Sequence, residues 1–191
     1  MNEQTEKSIQ TKKILMTALF AALMAVGAYI KVPLPPVPIT LQTLFVLTAG
    51  LMCGWKTGLA SVAIYLFIGA IGLPVFTSGG GIGAMIGPTG GFLLGLIPAV
   101  LIAGICSDIG CMHAEGAEPD KKKFFIWCCV GAVLATFIGI YGVGVPWLKI
   151  NRQLSWKAAL AGGMYPFLIG DTVKIIVAVI LARNFRGRFE Q

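Results

Sequence analysis

Charged side chains are scarce in this chain of 191 residues, of which Asp, Glu, Lys and Arg together make up 12%. A typical soluble domain contains about 25% of them. Hydrophobic residues make up 57% of the chain, and its mean hydropathy is +0.84. So few polar groups cannot cover the surface of a soluble domain, and disordered chains are poor in apolar residues. The composition therefore excludes both classes and indicates an integral membrane protein.

The residue sets of common enzyme and metal sites are also missing. The single histidine, His113, lies near Cys106 and Cys111, but a zinc site built from these three would lack a further protein ligand. The sequence contains no Walker A motif for ATP and no GxGxxG fingerprint for a dinucleotide. The five cysteines are odd in number and lie mostly in apolar segments, which does not indicate a disulfide framework. We therefore expect no enzyme activity, no metal and no cofactor.

Long apolar segments dominate what is present. The first runs from Ile14 to Ile30 between lysines and would form about 26 Å of helix, enough to cross a bilayer core. We predict an all-α integral membrane protein whose residues 1–191 form a single domain of six transmembrane helices. The predicted spans are 14–30, 40–54, 58–73, 91–106, 124–143 and 158–182.

The distribution of lysine and arginine predicts the orientation of these spans. The net charge is +7, and the basic residues flank apolar runs instead of forming a stripe with interleaved aromatic residues, so nucleic-acid binding is not indicated. Basic residues accumulate on the cytoplasmic side of membrane proteins. If the N-terminus is cytoplasmic, the outer segments hold only Lys31, Lys149, Arg152 and Lys157, and the other flanking basic residues lie inside. We therefore predict that both termini are cytoplasmic.

Three unusual segments would then share the outer face. The proline loop, residues 32–38, has four prolines in six residues and cannot form a helix interior. The glycine-rich loop, residues 74–91, is uncharged but too rich in Gly and Pro for a simple span. The third segment, residues 146–157, is predicted as a loop that contains Asn151 and Arg152.

Asp171 and Lys174 are the strongest functional signal, because both lie inside the predicted sixth helix. A charge at the centre of a membrane helix costs about 2.5–3.5 kcal/mol on insertion scales, and such residues commonly mark a binding site or pathway. The spacing i, i+3 places both on one helix face. A self-neutralising pair that only fixes helix packing is the alternative.

Other candidates carry weaker signals. The amide of Gln42, one turn into the predicted second helix, could bind a ligand or a neighbouring helix. Asn151 could contact a ligand or be a solvated turn residue. The backbone N–H groups of Gly90 and Gly91, where the predicted fourth helix starts, could bind an anion, or the glycines could serve close helix packing.

A pair of small residues marks one face of the predicted first helix. Ala18 and Ala22 are spaced four residues apart, which lets another helix approach closely. The pair could pack inside the protein or dock a partner subunit.

Several stretches together resemble the BioY family, the biotin-specific substrate-binding (S) component of energy-coupling factor (ECF) transporters. The resemblance covers nearly the whole chain. The similar stretches are VPITLQ at 37–42, GLPVF at 72–76, GPTGGF at 87–92 and GDTVK at 170–174.

The resemblance implies a six-helix protein of the bacterial cell membrane with an outward-facing biotin pocket. It implies an energy-coupling transmembrane subunit and two ABC-type ATPases as partners, with Ala18 and Ala22 as the docking face. Biotin would also match the candidate polar residues described above. Asp171 would accept the ureido N–H groups of biotin, and Lys174 or Asn151 would donate to the ureido oxygen.

The opposite end of the ligand and the mode of transport stay open. The carboxylate would suit the N–H groups of Gly90 and Gly91, but the reverse pose, with Lys174 on the carboxylate, is also compatible with the sequence. The alternatives to an ECF S component for biotin are a stand-alone or proton-coupled facilitator that uses Asp171, and an S component for another vitamin.

Overall fold

The computed structural model describes residues 3–112 and 120–186, and the side chains from residue 6 onward. The chain is helical in all its long elements. The helices are α1 (Glu3–Tyr29), α2 (Gln42–Ala70), α3 (Ile82–Ile86), α4 (Gly90–Cys111), α5 (Lys121–Leu134), α6 (Gly142–Asn151), α7 (Trp156–Gly163) and α8 (Leu168–Phe185). A π-helical segment, Ala135–Tyr141, joins α5 to α6, and one turn of 3-10 helix, Tyr165–Phe167, joins α7 to α8.

Five helical stretches among the described residues are long and apolar enough to cross a membrane. They are Glu6–Tyr29, Gln42–Ala70, Gly90–Cys111, Lys121–Asn151 and Trp156–Phe185. Large apolar side chains cover the outside of the bundle, and Ile169, for example, is 83% exposed. A soluble monomer rarely exposes such extended apolar surface. The protein is therefore an integral membrane protein that crosses the bilayer several times.

The second stretch is not a straight helix. Gly54 has φ +75°, a conformation that side-chain-bearing residues rarely adopt. A Cβ on Gly58 would lie 3.1 Å from the Cα of Gly50, whereas eight residues of straight helix would separate them by about 12 Å. The chain therefore folds back at Gly54, and residues 42–53 and 55–70 run side by side. These halves correspond to the predicted segments 40–54 and 58–73.

Polar side chains satisfy the backbone groups that this Gly54 corner leaves open. Arg186 donates to the carbonyl of Leu51 at 2.9 Å and pairs with Asp108. The carboxylate of Asp108 accepts from the backbone N–H of Trp55 at 3.4 Å, where the second half of α2 begins. Carbonyls at a helix end and N–H groups at a helix start have no partner within the helix, so these contacts stabilise the reversal.

The bundle is built around α4, which packs against α2, α5, α6 and the π-helical segment. Glycine permits the closest of these approaches. A Cβ on Gly95 would lie 2.7 Å from the carbonyl oxygen of Gly139, and a Cβ on Gly139 would lie 2.6 Å from the Cα of Ala99. Small residues of this kind let helix backbones meet in membrane proteins, where apolar burial alone does not drive helix association.

The fourth stretch, Lys121–Asn151, differs from the prediction at its C-terminal end. Residues 146–151 were expected in a loop, but α6 continues through Pro146 to Asn151. Proline removes one backbone hydrogen bond and its ring crowds the preceding turn. The π-helical segment directly before α6 changes the hydrogen-bond register, with Gly142 donating to Phe137. A local register change of this kind accommodates proline within a membrane helix.

Short irregular elements close the bundle at the end opposite the Gly54 corner. The strands β1 (Lys31–Val32) and β2 (Ile39–Thr40) pair antiparallel and frame the proline loop. The glycine-rich loop contains α3 and is held by a hydrogen bond from Lys31 to the carbonyl of Thr77 at 2.9 Å. The two loops are thus joined directly at the base of the proline loop.

Candidate functional site

A cavity of about 590 Å³ lies inside the bundle, below the proline and glycine-rich loops. We call it the inner cavity. Its apolar lining consists of Val37, Pro38, Phe76, Phe92, Leu93, Leu96, Ile140 and Phe167. Its polar lining consists of Thr40, Gln42, Thr43, Thr77, Thr89, Tyr141, Asp171 and Lys174.

Asp171 and Lys174 form a buried ion pair at one wall of this cavity. Lys174 Nζ lies 2.6 Å from Asp171 Oδ1, and each residue is only 6% exposed. Tyr141 donates a hydrogen bond to the other carboxylate oxygen, Oδ2. Both carboxylate oxygens are therefore engaged, and each keeps lone pairs that can accept from a ligand.

Local structure explains why these three groups meet. Asp171 lies in the first turn of α8, where the positive end of the helix dipole favours a carboxylate. Lys174 follows one turn later on the same face. Tyr141 is the last residue of the π-helical segment, and such segments often occur at functional sites because they redirect a side chain.

Two polar groups in the inner cavity have no hydrogen-bond partner in the part of the chain that the structure describes. Gln42 is 5% exposed, and its Nε2 makes no hydrogen bond with any described residue. The hydroxyl oxygen of Thr43 also lacks a partner there. Leaving a buried polar group unsatisfied costs about 1–3 kcal/mol. A ligand with complementary polar atoms would recover this energy, so both groups favour a polar ligand end beside the ion pair.

Aromatic side chains give the cavity a rigid apolar wall. Phe76, from the glycine-rich loop, is 1% exposed and packs edge-on against Tyr65, with ring centroids 5.4 Å apart. A Cβ on Gly69 would lie 2.0 Å from the Phe76 ring, so the glycine creates the space for it. The start of the glycine-rich loop is thereby anchored beside the cavity.

The structure places Gly90 and Gly91 in helix packing, outside the lining of the inner cavity. The N–H of Gly90 donates to the carbonyl of Gly87 at 2.9 Å. A Cβ on Gly90 would lie 1.7 Å from the carbonyl oxygen of Met85, and a Cβ on Gly91 would lie 2.1 Å from Trp147 Cβ. Their binding of an anion stays an untested prediction, and the geometry offers them a packing role.

Asn151 is likewise engaged elsewhere. It is the last residue of α6, and its Nδ2 donates to the carbonyl of Ile86, at the end of α3, at 2.8 Å. Its side chain therefore ties α6 to the glycine-rich loop and does not line the inner cavity. A contact with a ligand stays an untested prediction.

A second cavity of about 1250 Å³ opens above the first, and we call it the vestibule. It lies between the proline loop and the glycine-rich loop and shares Pro38, Thr77 and Thr89 with the inner cavity. Its cationic groups are Lys31 and Arg152. The vestibule thus offers positive charge next to the apolar inner cavity.

Sequence reasoning placed Asp171, Lys174 and Gln42 among the candidates, and all three line the inner cavity. It missed Tyr141 and Thr43. A tyrosine within an apolar run needs a partner for its hydroxyl when buried, which was a usable signal for Tyr141. Thr43 carried a weaker signal, because a threonine in a membrane helix usually bonds to its own backbone, as Thr48 does with Leu44.

The remaining candidates lie away from the cavity. Ala18 and Ala22 are both exposed on the outer face of α1. Cys106 and Cys111 form no disulfide with a described cysteine, and His113 lies outside the described residues. Within the described ranges, 3–112 and 120–186, no group of three His, Cys, Asp or Glu side chains could hold a metal ion.

Comparison with known proteins agrees with this architecture. The BioY family matches residues 1–191. A probable biotin transporter BioY from Lysinibacillus sphaericus is 39% identical over 184 residues, covering 93% of this chain and 88% of the relative. The biotin transporter BioY of Thermotoga maritima is 36% identical over 176 residues, covering 92% and 96%.

A solved structure shares the fold. The crystal structure of the S-component for biotin from an ECF-type ABC transporter superposes with a TM-score of 0.77 at 25% identity, covering 98% of this chain and 95% of the other. These relatives are transporters and transporter components, in agreement with the expectation that the chain is not an enzyme. The family match over the whole chain, the identity to curated relatives and the shared fold together place this chain in the BioY family.

Proposed function

We propose that this chain is the substrate-binding component of a biotin uptake transporter of the ECF type. The relatives described above are named biotin transporters, and the solved neighbour is an S-component for biotin. One observation carries the proposal. The buried Asp171–Lys174 pair lines the same apolar cavity as the Nε2 of Gln42, which has no partner among the described residues.

Biotin has the chemistry that this cavity needs. Its fused rings and tail are apolar, while its ureido group offers two N–H donors and one carbonyl acceptor. In the pose that we propose, the N–H groups donate to Asp171, and the carbonyl accepts from Lys174 and from the free Nε2 of Gln42. The ligand thereby satisfies the orphaned amide and adds charge-assisted hydrogen bonds in a site that excludes water.

The carboxylate of biotin lies, in this pose, towards the vestibule. The N–H of Gly90 is already bound to Gly87, so the anion site first expected there lacks one of its donors. Arg152 and Lys31 supply positive charge in the vestibule. The guanidinium of Arg152 makes no ion pair with the described residues and can meet a carboxylate with two parallel N–H groups.

We further propose six membrane segments, with both termini in the cytoplasm, in the bacterial cell membrane. The reversal at Gly54 divides the second helical stretch into two antiparallel segments, which turns five stretches into six. An even number of crossings returns the chain to its starting side. The excess of lysine and arginine at the Gly54 end supports a cytoplasmic location for that end, so the vestibule faces outward and captures biotin there.

Uphill transport requires an energy source, and the chain has no ATP-binding motif. We propose that it assembles with an energy-coupling transmembrane subunit and two ABC-type ATPases. The exposed pair Ala18 and Ala22 on α1 supports a docking face, because small residues let a partner helix approach closely.

A proton-coupled facilitator would need a carboxylate that gains and loses a proton. Asp171 already pairs with Lys174 and accepts a hydrogen bond from Tyr141, so a role in carrying protons would have to break both contacts in each cycle. We therefore favour binding over proton coupling as the role of Asp171.

Titration of the purified protein with biotin and three analogues tests the proposal. Desthiobiotin keeps the ureido group and the carboxylate, so it should bind. Biotin methyl ester keeps the ureido group alone and should bind more weakly than biotin. Thiamin, a cationic vitamin without a ureido group, should not bind. Binding of thiamin in preference to biotin would show that biotin is not the substrate, although the fold would stay as described.

A further inference from the structure

Two adjoining cavities at the Gly54 end of the bundle lie far from the biotin site and play no part in it. The first, of about 1110 Å³, lies between α1 and the Gly54 corner and contains Lys12, Lys13 and Lys56. The second, of about 730 Å³, continues from it along α1 and the second half of α2. They share Lys13, Lys56 and Thr57, so they form one continuous trough with two chemically different parts.

The first part of the trough is cationic. Its one carboxylate among the described residues, Asp108, is already paired with Arg186 and caps the start of the helix after the corner. No ion pair among the described residues neutralises Lys12, Lys13 or Lys56. Lys56 Nζ lies 5.6 Å from the ring centre of Trp55, a residue type that favours the headgroup region of a bilayer. The chemistry of this part suits an anionic headgroup.

The second part is apolar and opens on the side of the bundle. Its walls are Ile14 and Ala18 on α1 and Ala60 and Ile64 on α2, and the large side chain of Ile14 is 68% exposed. The two alanines make a shallow groove between the isoleucines, directly below the lysines. A groove of this shape suits a hydrocarbon chain.

We propose that, in the protein that has not docked to the coupling subunit, the trough binds one anionic glycerophospholipid, with its phosphate between Lys13 and Lys56 and an acyl chain along Ala18 and Ala60. The complementarity is twofold: positive charge meets the phosphate, and the apolar groove continues from it towards the bilayer core. Basic sites between helices at the cytoplasmic side of membrane proteins bind acidic lipids through this combination. Orientation of the protein needs basic residues at this end, but it does not need them to share a cavity with an apolar groove.

Native mass spectrometry of delipidated protein tests the proposal, with dioleoyl phosphatidylglycerol and dioleoyl phosphatidylcholine as probes. The phosphatidylglycerol should add as a single lipid per chain and bind in clear preference to phosphatidylcholine. Each lysine at a headgroup contributes about fivefold in affinity, so the double variant Lys13→Gln, Lys56→Gln should lose about 30-fold for phosphatidylglycerol and little for phosphatidylcholine. Ala60→Leu, which fills the groove, should weaken both lipids.

A matched control removes two lysines at the same end of the bundle, Lys121 and Lys122, which lie outside the trough. The control variant Lys121→Gln, Lys122→Gln should keep the preference for phosphatidylglycerol. Biotin binding should persist in every variant, which shows that each one is folded. Equal binding of the two lipids, an equal loss in the control, or full competition by soluble glycerol phosphate would each overturn the proposal.

Discussion

Replacing Asp171 with asparagine separates a ligand site from an ion pair that only fixes helix packing. The variant keeps the size of the side chain but removes its charge. In the parent, one carboxylate oxygen lies 2.6 Å from Lys174 Nζ and the other accepts from Tyr141. The asparagine amide offers one acceptor instead of two, and its NH₂ group cannot accept from biotin. We therefore expect weaker binding of biotin.

The size of the effect follows from burial. Asp171 is 6% exposed, so water screens its contacts little. A hydrogen bond to a charged group contributes about 1.5–3 kcal/mol, which converts to a dissociation constant about 10- to 150-fold higher. Leaving Lys174 buried without its partner also lowers the free energy of unfolding by about 3–5 kcal/mol. The thermal midpoint of the variant should therefore fall together with its affinity.

Isothermal titration with biotin in detergent measures the affinity, and a thermal melt checks the fold. Thr172→Val is the matched control, because Thr172 is the next residue on α8, is exposed and bonds only to the carbonyl of Leu168. It should bind biotin like the parent.

A double variant covers the case in which Asp171→Asn does not fold. Asp171→Leu with Lys174→Met replaces the pair with apolar groups of similar volume, which is often neutral or stabilising for a buried ion pair. It should fold and fail to bind biotin. An unchanged dissociation constant in either variant would refute the assignment and leave the pair with a packing role alone.

Four further substitutions test other parts of the account. Gln42→Leu should fold at least as stably as the parent, because it removes a buried Nε2 that has no partner among the described residues, but bind biotin about 5- to 150-fold more weakly in the same titration. Arg152→Gln should weaken the binding of biotin about fivefold, the effect of losing an exposed ion pair, and leave the binding of biotin methyl ester unchanged. Equal losses for both ligands would show that Arg152 does not bind the carboxylate. Gly91→Ala should lower the free energy of unfolding by about 1–3 kcal/mol in a denaturant titration, because its Cβ would lie 2.1 Å from Trp147 Cβ. Ala18→Trp should keep biotin binding and prevent co-purification with the coupling subunit, and normal assembly of the complex would show that α1 does not dock it.

Composition and hydropathy were enough to predict the membrane class and the approximate helical segments, because burial in lipid requires long apolar helices. Asp171, Lys174 and Gln42 were also predictable, since a polar side chain in an apolar span is costly without a purpose. In each case one residue and its immediate neighbours carry the signal.

The contacts that could not be predicted depend on tertiary geometry. Tyr141 meets Asp171 from 30 positions away, through a π-helical segment that leaves no local sequence mark. The break after Gly54 was predicted as the boundary between the segments 40–54 and 58–73, but the backbone conformation that makes the turn, φ +75° at Gly54, was not. A pair of glycines at positions 90 and 91 is equally compatible with an anion site and with close packing against Trp147. The sequence therefore did not reveal the contact with Trp147 that the structure shows.

Mass spectrometry of the small molecules released from the purified protein tests the central claim most directly. The protein is expressed alone in cells supplied with biotin, extracted in mild detergent, washed and denatured, and the released ligand is quantified against the protein. The account predicts biotin in a near-stoichiometric amount from the parent and from Thr172→Val, and none from Asp171→Asn. Release of no ligand from the parent, together with no binding in a biotin titration, would contradict it.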